Sequence, residues 1–168
     1  MENRFLCRAK RIDNGEWVEG YYCKWLKGKL VITYSEKEVD CIITWMSNGG
    51  MSRYEVDPST ICQCTGLKDK NGKLIFENDI LMCHENPEDL VKATFGEFNV
   101  IDVETLEVIS KVIGWHYEVV PTDALSKCEP FCLSMPLTEY YIDRCDMRVV
   151  DNSEAEAKLK EMEGSHDD

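Results

Sequence analysis

The chain lacks the run of about 20 consecutive apolar residues that a membrane-spanning helix needs. Met1–Arg4 leads into no apolar segment of the signal-peptide kind, so the expected compartment is the cytoplasm. Positive charge is scarce: 19 Lys and Arg stand against 32 Asp and Glu, for a net charge of -13. A protein that binds a phosphate backbone needs a basic face that releases counterions, so nucleic acid is not an expected partner. The acidic excess reads first as a means of solubility. Histidine is sparse, with three in 168 residues. There is no Walker loop, no G-x-G-x-x-G, no G-x-S-x-G and no H-E-x-x-H. No Cys-x-x-Cys occurs either. The sulfur-bearing groupings Cys62-x-Cys64, Cys83-His84 and Cys128-x-x-x-Cys132 do not have the spacing of a zinc knuckle. Nine cysteines, an odd number in a chain without an export signal, are expected to be reduced thiols that pack as small hydrophobes. No cofactor is implied.

What the chain does have is dense turn chemistry between Thr65 and Leu81. Asn71-Gly72 is a strong hairpin signal, because both residues tolerate a positive φ, and Asp69 can accept hydrogen bonds from amides further round the same turn. Leu74-Ile75-Phe76 is too short for a helix and reads as a strand. A second turn follows at Glu77-Asn78-Asp79, where Asn78 enters left-handed space at low cost. Ile80 to Cys83 then reads as a buried strand. Glu77 and Asp79 flank one turn, and such a pair would suit a hard metal ion or a general base. No third acidic ligand or histidine is placed beside them by sequence. The site residues Gly66, Asp69, Asn71, Gly72, Glu77, Asn78 and Asp79 are therefore read as turn-forming, with no catalytic residue and no metal ligand assigned.

The run from Asp57-Pro58-Ser59-Thr60 through Gln63, Thr65-Gly66-Leu67, Asp69, Asn71-Gly72 and Ile75-Phe76-Glu77-Asn78-Asp79-Ile80 resembles the signature of the YopX family of phage and prophage proteins. Arg4 to Ala9 resembles that family's opening, and Asp146 to Glu154 resembles its close. Cys62, Cys64, Asn78 and Ser153 depart from the pattern, and none of them supplies a site. The resemblance implies a mostly β fold and a phage-linked gene. It implies no established activity.

Along the chain, Phe5–Ile12 and Trp17–Trp25 read as a hairpin closed at Asp13-Asn14-Gly15. Leu30–Tyr34 and Cys41–Trp45 read as further strands, with Ser35–Asp40 a charged loop and Ser47–Gly50 a flexible one. Gly96-Glu97 suggests a type II′ turn between Leu90–Thr94 and Phe98–Val103. Glu104–Trp115 fits either a helix face or a strand. His116–Val120 is a strand ended by Pro121, and Pro121, Pro130 and Pro136 make 121–137 an irregular insert. Ile142–Val150 reads as the last strand. Ser153–Gly164 reads as a helix with a Ser153/Glu156 capping box, followed by a disordered tail at 165–168. The expected fold is mainly β, α+β overall: a small, partly open or SH3-like β-barrel of short antiparallel strands over 1–152, subdivided near 57–66, with a C-terminal helix that docks on its own barrel or on a neighbouring subunit.

The functional expectation is a non-enzymatic accessory protein that self-associates into a homo-oligomer and binds a protein partner, since short strands leave edges for strand addition. The main alternative is a metal- or nucleotide-dependent enzyme or ligand binder built on Asp69, Glu77, Asp79 and His84. A weaker one is an acidic DNA mimic, which requires a spaced row of carboxylates on one face. No membrane partner is expected.

Overall fold

Asp13-Asn14-Gly15 turns the chain where the sequence says it should. Gly15 sits at φ 74°, and Arg11 and Glu16 close the loop through an N–H···O bond of 2.9 Å. The flanking strands β1 (Leu6–Lys10) and β2 (Trp17–Lys27) pair from Leu6 opposite Tyr21 to Lys10 opposite Trp17. The computed structural model describes residues 5–27, 37–102, 104–122 and 125–150. Its contacts divide into two units, Met1–Gly66 and Leu67–Asp168.

In the first unit, β3 (Lys37–Trp45) pairs with β2, and β4 (Met51–Glu55) pairs with β3. On the other side of β1 lies β5 (Cys62–Lys68), giving the order β4-β3-β2-β1-β5. Every pairing is antiparallel, so alternate residues share a face. One face carries Ala9, Ile42 and Val56, all fully buried, with Cys7, Val18 and Ile61 packed against them. Gly20 lies on that face, where a Cβ would collide with the Ile43 carbonyl. The expected turn at Asp57-Pro58 is a short 3-10 segment, Pro58–Thr60, capped by the Asp57 carboxylate, which accepts the Ser59 N–H at 2.9 Å. β3 begins at Lys37, so Lys37–Asp40 is strand and not charged loop. Its register against Lys24–Lys27 of β2 supplies the hydrogen-bonded partner that the local sequence cannot show.

β5 runs through the boundary between the units, and β6 (Leu74–Phe76) is its hydrogen-bonded neighbour after the Asp69–Lys73 turn. The second unit then builds an antiparallel sheet from β7 (Ile80–Met82), β8 (Leu90–Ile101), β9 (Val108–Val119), β10 (Met135–Pro136) and β11 (Arg148–Val149), in the order β10-β9-β8-β7-β11. Its core gathers Ile75, Leu81, Val91, Ala93, Ile142 and Met147, none more than 2% exposed.

Three expectations are corrected. Among the described residues neither sheet closes into a barrel; both are open, and β10 and β11 are two residues each, too short for the long tilted strands that closure requires. Gly96-Glu97 does not turn. Leu90–Ile101 is one strand, with Gly96 opposite Gly114, and the reversal lies further on. There Asp102 accepts the N–H groups of Glu104 and Thr105, both at 2.9 Å, and Leu106 takes φ 60°. This resolves Glu104–Trp115 as turn followed by strand. Finally, Ile142–Val150 is not one strand. Thr138 caps the helix α1 (Glu139–Arg144) through its hydroxyl, Asp146 turns the chain at φ 51°, and only Arg148–Val149 is strand. The expected strand Leu30–Tyr34, helix 153–164 and tail 165–168 lie outside the described residues. Also among the described residues, no helix is long and apolar enough to cross a membrane.

Candidate functional site

Strand β7 ends at Met82, and the chain reverses at once. Asn86 donates its N–H to the Cys83 carbonyl at 2.8 Å, with His84 at φ 53° and Glu85 at φ 56°. Two consecutive left-handed residues make a mirror-image turn, a conformation that normally selects Asn-Gly. With His and Glu in those places it costs roughly 1–2 kcal/mol per residue, and it persists because the surroundings over-determine it. The His84 N–H reaches the Cys145 carbonyl at 2.8 Å, and the Cys83 N–H reaches that of Asp89 at 2.8 Å. The His84 ring meets the Asp89 carboxylate at 2.9 Å. Lys70 anchors the far side, bonding Asp146 at 2.6 Å and Glu85 at 3.0 Å, and these two carboxylates, Asp146 first, raise its pKa.

This turn borders a cavity of about 460 Å³ in the second unit. Its walls are mainly apolar: Val91, Tyr117, Val119, Phe131, Met135 and Met147. The polar groups are His84, Asn86, Glu88 and Asp89 on the turn, with Ser126 from the insert. The volume falls within the roughly 300–1,000 Å³ of small-ligand sites, and an apolar lining with a few fixed polar groups is their usual makeup. Two thiols, Cys83 and Cys145, also line it. Burial pushes both upward in pKa, and it does the same to the Tyr117 phenol. These groups therefore stay protonated at neutral pH, and the thiols are poor nucleophiles there. None of the nine cysteines is in a disulfide.

The turn residues singled out in the sequence lie elsewhere in the chain. Gly66 and Gly72 take φ 83° and 81°, and Asn78 takes φ 65°. Asp69 is buried. Its Oδ1 accepts the N–H groups of Asn71 (2.9 Å) and Lys73 (2.8 Å), and its Oδ2 accepts that of Val149 on β11 (2.9 Å). Asp79, 1% exposed, accepts the Phe76 N–H at 2.8 Å through Oδ2. Asn78 donates to the Ala93 carbonyl at 2.8 Å, fixing the turn to β8. Glu77 is half-buried. His84 pairs with Asp89 and not with Glu77 or Asp79. Among the described residues, no group of three or more His, Cys, Asp or Glu is placed to hold a metal ion.

Sequence reasoning did not find the cavity. Its lining runs from Cys83 to Met147, and residues so far apart share no spacing to read. The one available signal was the Pro-rich insert, which contributes Phe131, Leu133 and Met135 to the wall. The family model described as YopX protein matches residues 8–129 of the chain. No curated protein and no solved structure matches it.

Proposed function

The chain belongs to the YopX protein family, and from that premise we propose that it is a non-enzymatic, self-associating binding module of phage or prophage origin. In this reading the cavity of the second unit receives an apolar side chain of a protein partner. The observation that carries it is the cavity itself: about 460 Å³, apolar-walled, and bordered by a left-handed turn held by hydrogen bonds to Asp89 and Cys145. Strained backbone kept in place by its neighbours is typical of ligand clamps. The protonated thiols give the cavity no ready nucleophile, which favours binding over covalent chemistry. The His84–Asp89 pair and Asn86 would supply orientation, as polar groups do at the edge of an apolar pocket.

Indole, as a mimic of a large apolar side chain, provides the test. Titrated into isotope-labelled protein, it is expected to shift the amides of Val91, Tyr117 and Val119. Met135→Trp, which fills the space from within, is expected to abolish those shifts while the remaining amides keep their dispersion. Shifts confined to other regions, or none at millimolar indole, would remove the reading.

A further inference from the structure

Strand β9 is paired on one side along its whole length by β8, but on the other side only β10 meets it, at Tyr117 and His116. The Leu137 N–H adds a bond to the Trp115 carbonyl at 3.1 Å, and the chain then leaves for the cap of α1 at Thr138. From Ser110 to Gly114 no strand among the described residues covers the outer edge. At its centre stand two solvent-facing apolar residues: Ile113 is 73% exposed and Val112 37%. Folded proteins usually blunt a Val/Ile edge with charge, proline or a bulge; the one charge on this stretch, Lys111, is tied back to Glu97 of β8. We propose that this edge is the self-association surface, and that it pairs antiparallel with the same edge of a second copy across a twofold axis at Val112. The proposal rests on the self-association reading above and names its interface.

Hydrogen-bond phase fixes the register. Because the Trp115 carbonyl points outward to Leu137, alternation along an antiparallel strand turns the backbone groups of Ile113 and Lys111 outward as well. Only registers that oppose odd-numbered residues to odd-numbered residues then form bonds. With Lys111 on the axis, two ammonium groups would face each other, which is unfavourable. With Ile113 on the axis, Lys111 would face Trp115, whose carbonyl already has a donor. With Val112 on the axis, Lys111 pairs with Ile113 of the second copy in both directions, and each exchanges two N–H···O bonds. Both faces of that arrangement are compatible. Phe98 lies directly opposite Val112 within the chain, so a continuous apolar stripe forms: Phe98, Val112, then Val112 and Phe98 of the second copy. On the other face, Lys111 keeps its own Glu97 at 2.6 Å while its aliphatic stem covers the opposing Ile113.

Native mass spectrometry of the reduced protein, with sedimentation to give Kd, is the first measurement, and a dimer is expected. Ile113→Pro removes an outward N–H without touching a β8 bond. It is expected to raise the dimer Kd by about tenfold or more, since two symmetric hydrogen bonds are lost. Val112→Cys is the second test and does not depend on how well the proline variant folds. Opposed residues at a non-hydrogen-bonded pair lie about 4.5 Å apart at Cα, within disulfide reach. Mild oxidation followed by peptide mapping is therefore expected to show position 112 linked to itself. A monomeric wild-type protein overturns self-association altogether. A dimer unaffected by Ile113→Pro, or a dimer whose substituted position 112 does not cross-link to itself, overturns this edge and leaves self-association standing.

Discussion

Asp69 is the side chain with the most work per atom in the second unit. With two oxygens it holds three backbone N–H groups, two in its own turn and one on β11 far along the chain. A carboxylate accepting several backbone amides is a charge-assisted arrangement, about twice as strong as neutral bonds. Its neighbours depend on it in turn: Gly72 donates to the Asp69 carbonyl at 2.9 Å, and the Lys70 N–H reaches Met147 at 3.0 Å. Asp69→Ala would strand the buried Val149 N–H and loosen the turn together. The expected loss is about 2–4 kcal/mol of unfolding free energy, read from the urea midpoint. A loss under about 0.5 kcal/mol would show that the turn holds itself. Asn78, His84 and Glu85 present the opposite case: they carry the cost of left-handed backbone, and surrounding hydrogen bonds keep them there.

At the scale of elements, strands here are set by pairing more than by propensity. The β2–β3 pair shows it, with seven opposed residues running from Tyr21–Ile43 to Lys27–Lys37. It also carries a titratable cross-link. The Tyr22 hydroxyl donates to the Asp40 carboxylate at 2.5 Å, and that bond first, then burial, pushes the phenol up to about 12. The sign follows from linkage: the folded state holds this proton more tightly than the unfolded chain, whose tyrosines titrate near 10. The contribution to stability is therefore fully present below about pH 10 and is lost as pH climbs through about 12. Urea midpoints of wild type and Tyr22→Phe are expected to differ by a constant amount up to about pH 9 and to converge toward pH 12. A difference that persists at the top of that range would mean the hydroxyl contributes by packing and not through its proton.

At the scale of the molecule, the two units have cores of different depth among the described residues. Ala9, Ile42 and Val56 centre the first. Leu81, Val91, Ala93, Ile142 and Met147 are among many in the second. Less buried apolar area means less stabilisation, at roughly 25 cal/mol per Å², so the Met1–Gly66 unit is expected to open at lower free energy than the other. Ile42→Ala should cost the first unit about 2–5 kcal/mol through lost transfer energy and the cavity left behind. Amide exchange tests this residue by residue. In the variant, the amides of β2 and β3 are expected to exchange faster, while those of Leu81, Val91 and Ala93 keep their protection. Equal acceleration in both sets would mean that the units open as one.

The sequence alone determined the features that rest on neighbours in the chain. Asn14-Gly15, Asn71-Gly72 and Asn78 reverse the backbone because those residues tolerate positive φ wherever they occur. The dense motif from Asp57 to Leu81 was enough to reveal the family. Tertiary structure decided whatever depends on partners far along the chain. Gly96-Glu97 has the local chemistry of a hairpin turn, yet it lies mid-strand because pairing with Gly114 and the Asp102 turn outweigh it. Ile142 has the composition of a strand, yet it is helical because Thr138 caps that segment and its side chain fills the core. The cavity came the same way. Its walls come from β8, β9, the Pro-rich insert and the turn after α1, which only folding brings around one space, so no spacing in the sequence records it.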